Sequence, residues 1–76
     1  MMKQFEIGRS YPPNDRAYDP IVVIRRTPQF IVGRIGLDVC RMKIWINEDG
    51  VECLTDSHVP ERWREAFTYR ADDPVD

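Results

Sequence analysis

The sequence predicts a small, mostly-β domain: a partly open antiparallel barrel with one short helix or 3-10 turn near the C-terminus. Three observations lead there. Apolar and polar residues alternate along "VCRMKIWIN", residues 39–47, with the two-residue period of a half-buried strand. The runs "IVVIRRT" and "FIVGRIG" are crowded with β-branched residues, and Pro, Gly, Asn and Asp separate such runs. The chain has 76 residues, one domain at most. A chain this short buries only about 60% of its unfolded surface, so a sheet must curl to enclose a core and hide its edges.

The elements follow in order. "QFEIG", residues 4–8, alternates and stops at Gly8, which predicts a first short strand. "RSYPPNDRAYDP" carries three prolines with Asn and Asp, so residues 9–20 are a long loop, with local polyproline II at Pro12-Pro13. Residues 21–27 form the next strand, apolar on both faces at its first four positions, and Pro28 ends it. Residues 30–36 return, and Gly33 within them suggests a bulge or a sharp barrel bend. Gly36-Leu37-Asp38 turns the chain into residues 39–47. "NEDG" is a hairpin signal in which Gly50 can take a positive φ, and "VECLT" pairs back.

"DSHVPERWREAF" differs in kind. Asp56 or Ser57 can cap, Pro60 suits a first turn, and Val59, Trp63 and Phe67 make one stripe, which predicts a short helix or 3-10 turn over residues 60–66. "FTYRA" extends that helix or forms a last strand, and its β-propensity favours the strand. Residues 1–71 are then a single β domain, and 72–76, "DDPVD", a mobile polar tail. A long first loop and a helical turn before the last strand match the order of parts in an SH3-like barrel. An open meander with the Trp63 helix on one face is the alternative.

Composition bounds the function. The N-terminus lacks a continuous apolar stretch and no run approaches the ~18 apolar residues of a membrane helix. The expected location is therefore the cytoplasm. Cys40 and Cys53 fall several residues apart along the sheet, beyond disulfide reach, and read as buried free thiols. With one histidine and no C-x-x-C spacing, no metal or other cofactor is expected. Residues 1–46 carry a net charge of +4 and residues 47–76 a net of −6. The total of −2 is a poor match to a general nucleic-acid binder, although the split allows a basic face.

No catalytic constellation emerges. Asp56, Ser57 and His58 are adjacent, whereas triad members converge through the fold. Gly33 and Gly36 form G-x-x-G without the Lys-Ser/Thr of a phosphate loop or the helices of a KH domain. The outer side of residues 39–47 is more informative. Arg41, Lys43 and Trp45 lie at alternate positions, and Arg34 on the adjacent strand can join them. Such a face binds a protein, stacks and neutralises a single nucleic-acid strand, or is simply the wet side of a sheet. In that last case Trp45 covers an edge or packs under Trp63, and Glu52 pairs with a cation across its hairpin. A second candidate is a peptide groove lined by Tyr11, Pro12, Pro13 and Tyr18, unless those side chains seal the barrel's end.

"FEIGRSY", "VIRRTPQFIVG", "RMKIWINEDGVE" and "YRADD" carry a resemblance over most of the chain. Through Phe5, Glu6, Gly8, Tyr11, Arg26, Thr27, Phe30, Arg41, Lys43, Ile44, Asp49, Gly50, Val51 and Glu52 it resembles a group of small SH3-like-barrel proteins of intestinal bacteria and their mobile elements. It departs after Leu54, where that group often has a Ser- and Met-rich segment in place of Arg62-Trp63-Arg64. The resemblance implies the SH3-like fold and no assigned activity. The expectation is a non-enzymatic binding module, foremost for a protein partner. Weak single-stranded nucleic-acid binding through Arg34, Arg41, Lys43 and Trp45 is the alternative, and self-association a third possibility.

Overall fold

The computed structural model describes residues 3–75. Seven strands and one 3-10 turn run in the order β1 (Ser10–Tyr11), β2 (Ile21–Arg26), β3 (Phe30–Ile35), β4 (Asp38–Lys43), β5 (Trp45–Ile46), β6 (Glu52–Thr55), the 3-10 turn (Glu61–Trp63) and β7 (Thr68–Arg70). They make two antiparallel sheets, ordered β1-β2-β3-β4 and β5-β6-β7. The expected partly open barrel is the fold. Its two sheets meet on one side through the antiparallel bridge of Pro13 to Tyr69 and stand apart on the other, between β4 and β6.

The long strand anticipated over residues 39–47 bends at Ile44 and serves both sheets, as β4 against β3 and as β5 against β6. Its inward side chains follow the alternation. Cys40, Met42 and Ile44 pack on a core of Phe5, Tyr11, Ile21, Val23, Ile31, Val51, Cys53, Leu54, Tyr69 and Ala71, while Ile46 lies past the core's end and stays exposed. Both thiols are free.

The decisive irregularity is in β2. The register against β3 shifts between Val23 and Arg25, so Ile24 is the extra residue of a bulge. The shift reverses the two-residue alternation. Val23 faces the core opposite Gly33, Arg25 faces out opposite Val32, and Arg26 faces in opposite Ile31. The bulge expected at Gly33 therefore lies across the ladder from it, and Gly33 has a packing reason of its own. A Cβ there would sit 2.5 Å from Cγ1 of Ile21.

Turned inward, Arg26 meets Glu52 of the other sheet. Its Nη1 and Nη2 donate to the two carboxylate oxygens, both at 2.8 Å, and Nη1 also donates to the Phe5 carbonyl at 2.9 Å. Phe5 N–H donates to Glu52 Oε1 at 2.8 Å. Glu52 is only 3% exposed, yet each of its oxygens is satisfied, as a buried charge requires. The pairing across its own hairpin foreseen for Glu52 is replaced by this clamp. Burial pushes the Glu52 carboxyl up, but the Arg26 hydrogen bonds, the Phe5 N–H and the Arg26 charge outweigh it and leave the group below the ordinary glutamate value.

The clamp also explains why residues 4–8 are not a strand. Lys3 is bridged in parallel to Val51 and Phe5 is held by Glu52, so the segment lies along the hairpin instead of in sheet order. Phe5 meets Tyr11 edge-on at 4.8 Å, and the Tyr11 hydroxyl accepts from Glu6 N–H. Pairing resumes one turn later at β1. The 3-10 turn falls within the expected range, but Pro60 precedes it with no side-chain cap. Asp56 instead accepts from His58 N–H in a local turn. The stripe is not realised: Phe67 meets Tyr18 at a tilt, while Trp63 stays 47% exposed. Of the tail expected to be mobile, residues 72–75 are held by Val75 N–H on the Ser10 carbonyl and by the ion pairs Arg70–Asp72 and Arg16–Asp73, and Asp76 lies outside the described residues.

A carboxyl held low in the fold stabilises it fully above its unfolded value, about 4.3, and less as pH falls through the lower folded value. Urea midpoints followed below about pH 5 should therefore fall more steeply in the parent than in Glu52→Gln. Asp72, held low first by its hydrogen bond to Arg70, leaves the variant a residual slope of the same sign. Equal slopes would remove Glu52 from the acid response.

Candidate functional site

The open seam is built by β3 and β4. A two-residue turn joins them, since Ile35 pairs with Asp38. In such a hairpin the closing pair exchanges both backbone hydrogen bonds, and every second pair after it does the same. The bonding pairs are thus Ile35/Asp38, Gly33/Cys40 and Ile31/Met42, and the series continues with Ile44 N–H on the Gln29 carbonyl at 2.8 Å. The backbone groups of Val39, Arg41 and Lys43 consequently point the other way. Beyond the bend, β5 uses that direction to pair with β6, Trp45 lying opposite Cys53. Before the bend there is no partner among the described residues. The edge of β4 is free.

Alongside that edge lies a cleft of about 530 Å³, walled by Ile35, Cys40 and Met42 on one side and by Thr55, Asp56 and His58 on the other. Asp38 lines it as well, and so do Arg41 and Lys43 along the edge. Tyr69 backs the core beside it; burial first, then the charges of Cys40, Asp56 and Asp19, pushes its phenol up to about 12. Burial likewise raises the Cys40 and Cys53 thiols, so neither is a thiolate near neutrality.

The outer face of the same sheet is cationic. Cross-strand register sets Arg34 beside Val39, and Arg25, Val32 and Arg41 in one row, with Phe30 opposite Lys43. Arg25, Arg34, Arg41 and Lys43 are exposed, and none has an ion pair among the described residues. The guanidinium of Arg41 lies 3.9 Å over the Phe30 ring. Of the four residues singled out in the sequence, Arg34, Arg41 and Lys43 come together here. Arg25 was missed because only the bulge turns it outward.

Trp45 does not join them. It lies on the outer face of the other sheet, 45% exposed, with its Nε1 donating to Thr55 Oγ1 at 3.0 Å. It makes no ring contact with Trp63. The proposed groove is also not formed as drawn: Tyr11, Pro12 and Pro13 are buried because β1 and the Pro13 bridge carry them into the core, and Tyr18 meets Phe67 at a tilt, ring centroids 4.5 Å apart.

Among the described residues no group of three or more His, Cys, Asp or Glu is placed to hold a metal, and no helix is long and apolar enough to cross a membrane. No protein-family model, curated protein or solved structure matches the chain.

The geometry makes a direct prediction for amide hydrogen exchange. In the free protein the N–H groups of Val39, Arg41 and Lys43 should exchange orders of magnitude faster than those of Cys40 and Met42. Uniform protection along β4 would mean that the seam is closed.

Proposed function

We propose that the chain is a small non-enzymatic binding module of the cytoplasm that takes a protein partner by adding an extended segment of it to the free edge of β4. The observation that carries this reading is the run of outward backbone groups at Val39, Arg41 and Lys43 beside an open cleft. Main-chain hydrogen bonds to such an edge supply affinity, and flanking side chains supply selectivity. Two free thiols, one buried and one half-buried, fit a reducing compartment. The order of parts supports an SH3-like assignment within the partly open barrel, and the resemblance to small proteins of intestinal bacteria points the same way.

Nucleic-acid binding is the second reading, favoured by four exposed cations with no ion pair among the described residues. A single-strand platform also needs open aromatic faces. Here Phe30 is covered by Arg41 and Trp45 is turned to the other sheet. Self-association through the same edge meets like charge. Antiparallel pairing of two β4 strands about Arg41 sets the two copies of Arg41 opposite each other, which is destabilising.

Panning a random-peptide library against the parent and against Val39→Pro tests the reading. Proline at position 39 removes an outward N–H without touching the β3 ladder. Peptides should be enriched on the parent and lose binding to the variant. Equal binding to both would move the site off this edge, and salt-sensitive binding of a thymine oligonucleotide without peptide capture would favour the nucleic-acid reading.

A further inference from the structure

Resting on the edge reading above, we infer that the captured segment alternates acidic and apolar residues, with its carboxylates facing the outer side of β4 and its apolar side chains entering the cleft. Two independent features of β4 set this pattern. A strand laid along the edge has side chains alternating between two environments. Those on the outer face come beside Arg41 and Lys43, with Arg34 and Arg25 further across the same sheet and no carboxylate among the described residues paired to any of them. Cross-strand pairs of opposite charge are favourable there, and like charge is not.

Those on the inner face come beside Cys40 and Met42, half-buried side chains at the mouth of the core. Burying further apolar surface against them is favourable. Arg41 and Lys43 also border this cleft, but from the alternate positions of β4; beside Cys40 and Met42 the charged neighbours in its lining are Asp38 and Asp56, which disfavour carboxylates there. The inner and outer sides of the edge thus ask for different chemistry at successive residues. Composition alone does not satisfy them; the order does. The chain's own acidic stretch is not the occupant, because Asp72 and Asp73 are engaged by Arg70 and Arg16 and Val75 is bonded to Ser10.

Three short capped peptides decide the matter on the whole chain, read by amide shifts and by hydrogen exchange at Val39, Arg41 and Lys43. One alternates glutamate and valine, one holds the same residues in two blocks, and one alternates lysine and valine. The first should bind about tenfold or more tighter than either other, slow exchange at the three edge amides, and weaken with salt. In Arg41→Glu/Lys43→Glu the preference should pass to the lysine peptide. Lys43→Glu alone, which spares the contact of Arg41 with Phe30, should narrow it. Equal binding of the blocked or lysine peptide at this edge would overturn the acidic-apolar pattern and leave edge capture standing. If no peptide disturbs the edge amides while library peptides bind elsewhere, edge capture itself fails. An oligonucleotide that displaces the glutamate peptide from the basic face would assign that face to nucleic acid.

Discussion

The buried pair of Arg26 and Glu52 ties three parts of the chain together at one point. Arg26 belongs to the four-stranded sheet, Glu52 to the three-stranded one, and Phe5 to a segment in neither. A charge as enclosed as Glu52 is costly unless its oxygens are fully hydrogen-bonded. That requirement fixes the positions of all three groups at once. The pair therefore specifies how the sheets and the N-terminal segment dock, even where its net contribution to stability is modest. Apolar packing by Phe5, Tyr11, Leu54 and Tyr69 then fills the space the docking defines.

The same bulge that builds the clamp also furnishes the surface. One extra residue at Ile24 sends Arg26 inward and Arg25 outward. Without it, both arginines would exchange faces. Arg25 would then fall opposite Ile31 and face in, and the outer row beside Val32 and Arg41 would lose that cation. The free edge arises from a related economy of chain, in which one bent strand serves two sheets. Where it leaves the first for the second, at Ile44, one backbone links the two sheets; upstream of that point β4 keeps one side unpaired.

The sequence made the strands legible where period and turn chemistry agreed. Residues 21–26, 30–35 and 38–46, the hairpin at Asn47–Gly50 and the short last strand were all readable from β-branched runs and glycine placement. What escaped was whatever tertiary contact decided. "QFEIG" alternates like a strand, but a side-chain carboxylate 47 residues away claims Phe5 N–H. "DDPVD" reads as a loose tail, but two arginines and the Ser10 carbonyl hold Asp72, Asp73 and Val75. The candidate face was legible in Arg34, Arg41 and Lys43, because alternation placed them correctly. Arg25 was hidden by a bulge that leaves no mark in a two-residue period, and Trp45 by the bend at Ile44.

A double-mutant cycle between Arg26 and Glu52 bears most directly on this account. Arg26→Met, Glu52→Gln and the double variant each keep the approximate volume of the site, and urea unfolding gives their stabilities. If the pair organises the fold, the two losses are strongly non-additive, with a coupling of about 2 kcal/mol or more. Losses that add to within about 0.5 kcal/mol would show two independent side chains, and the docking of the sheets would need another explanation.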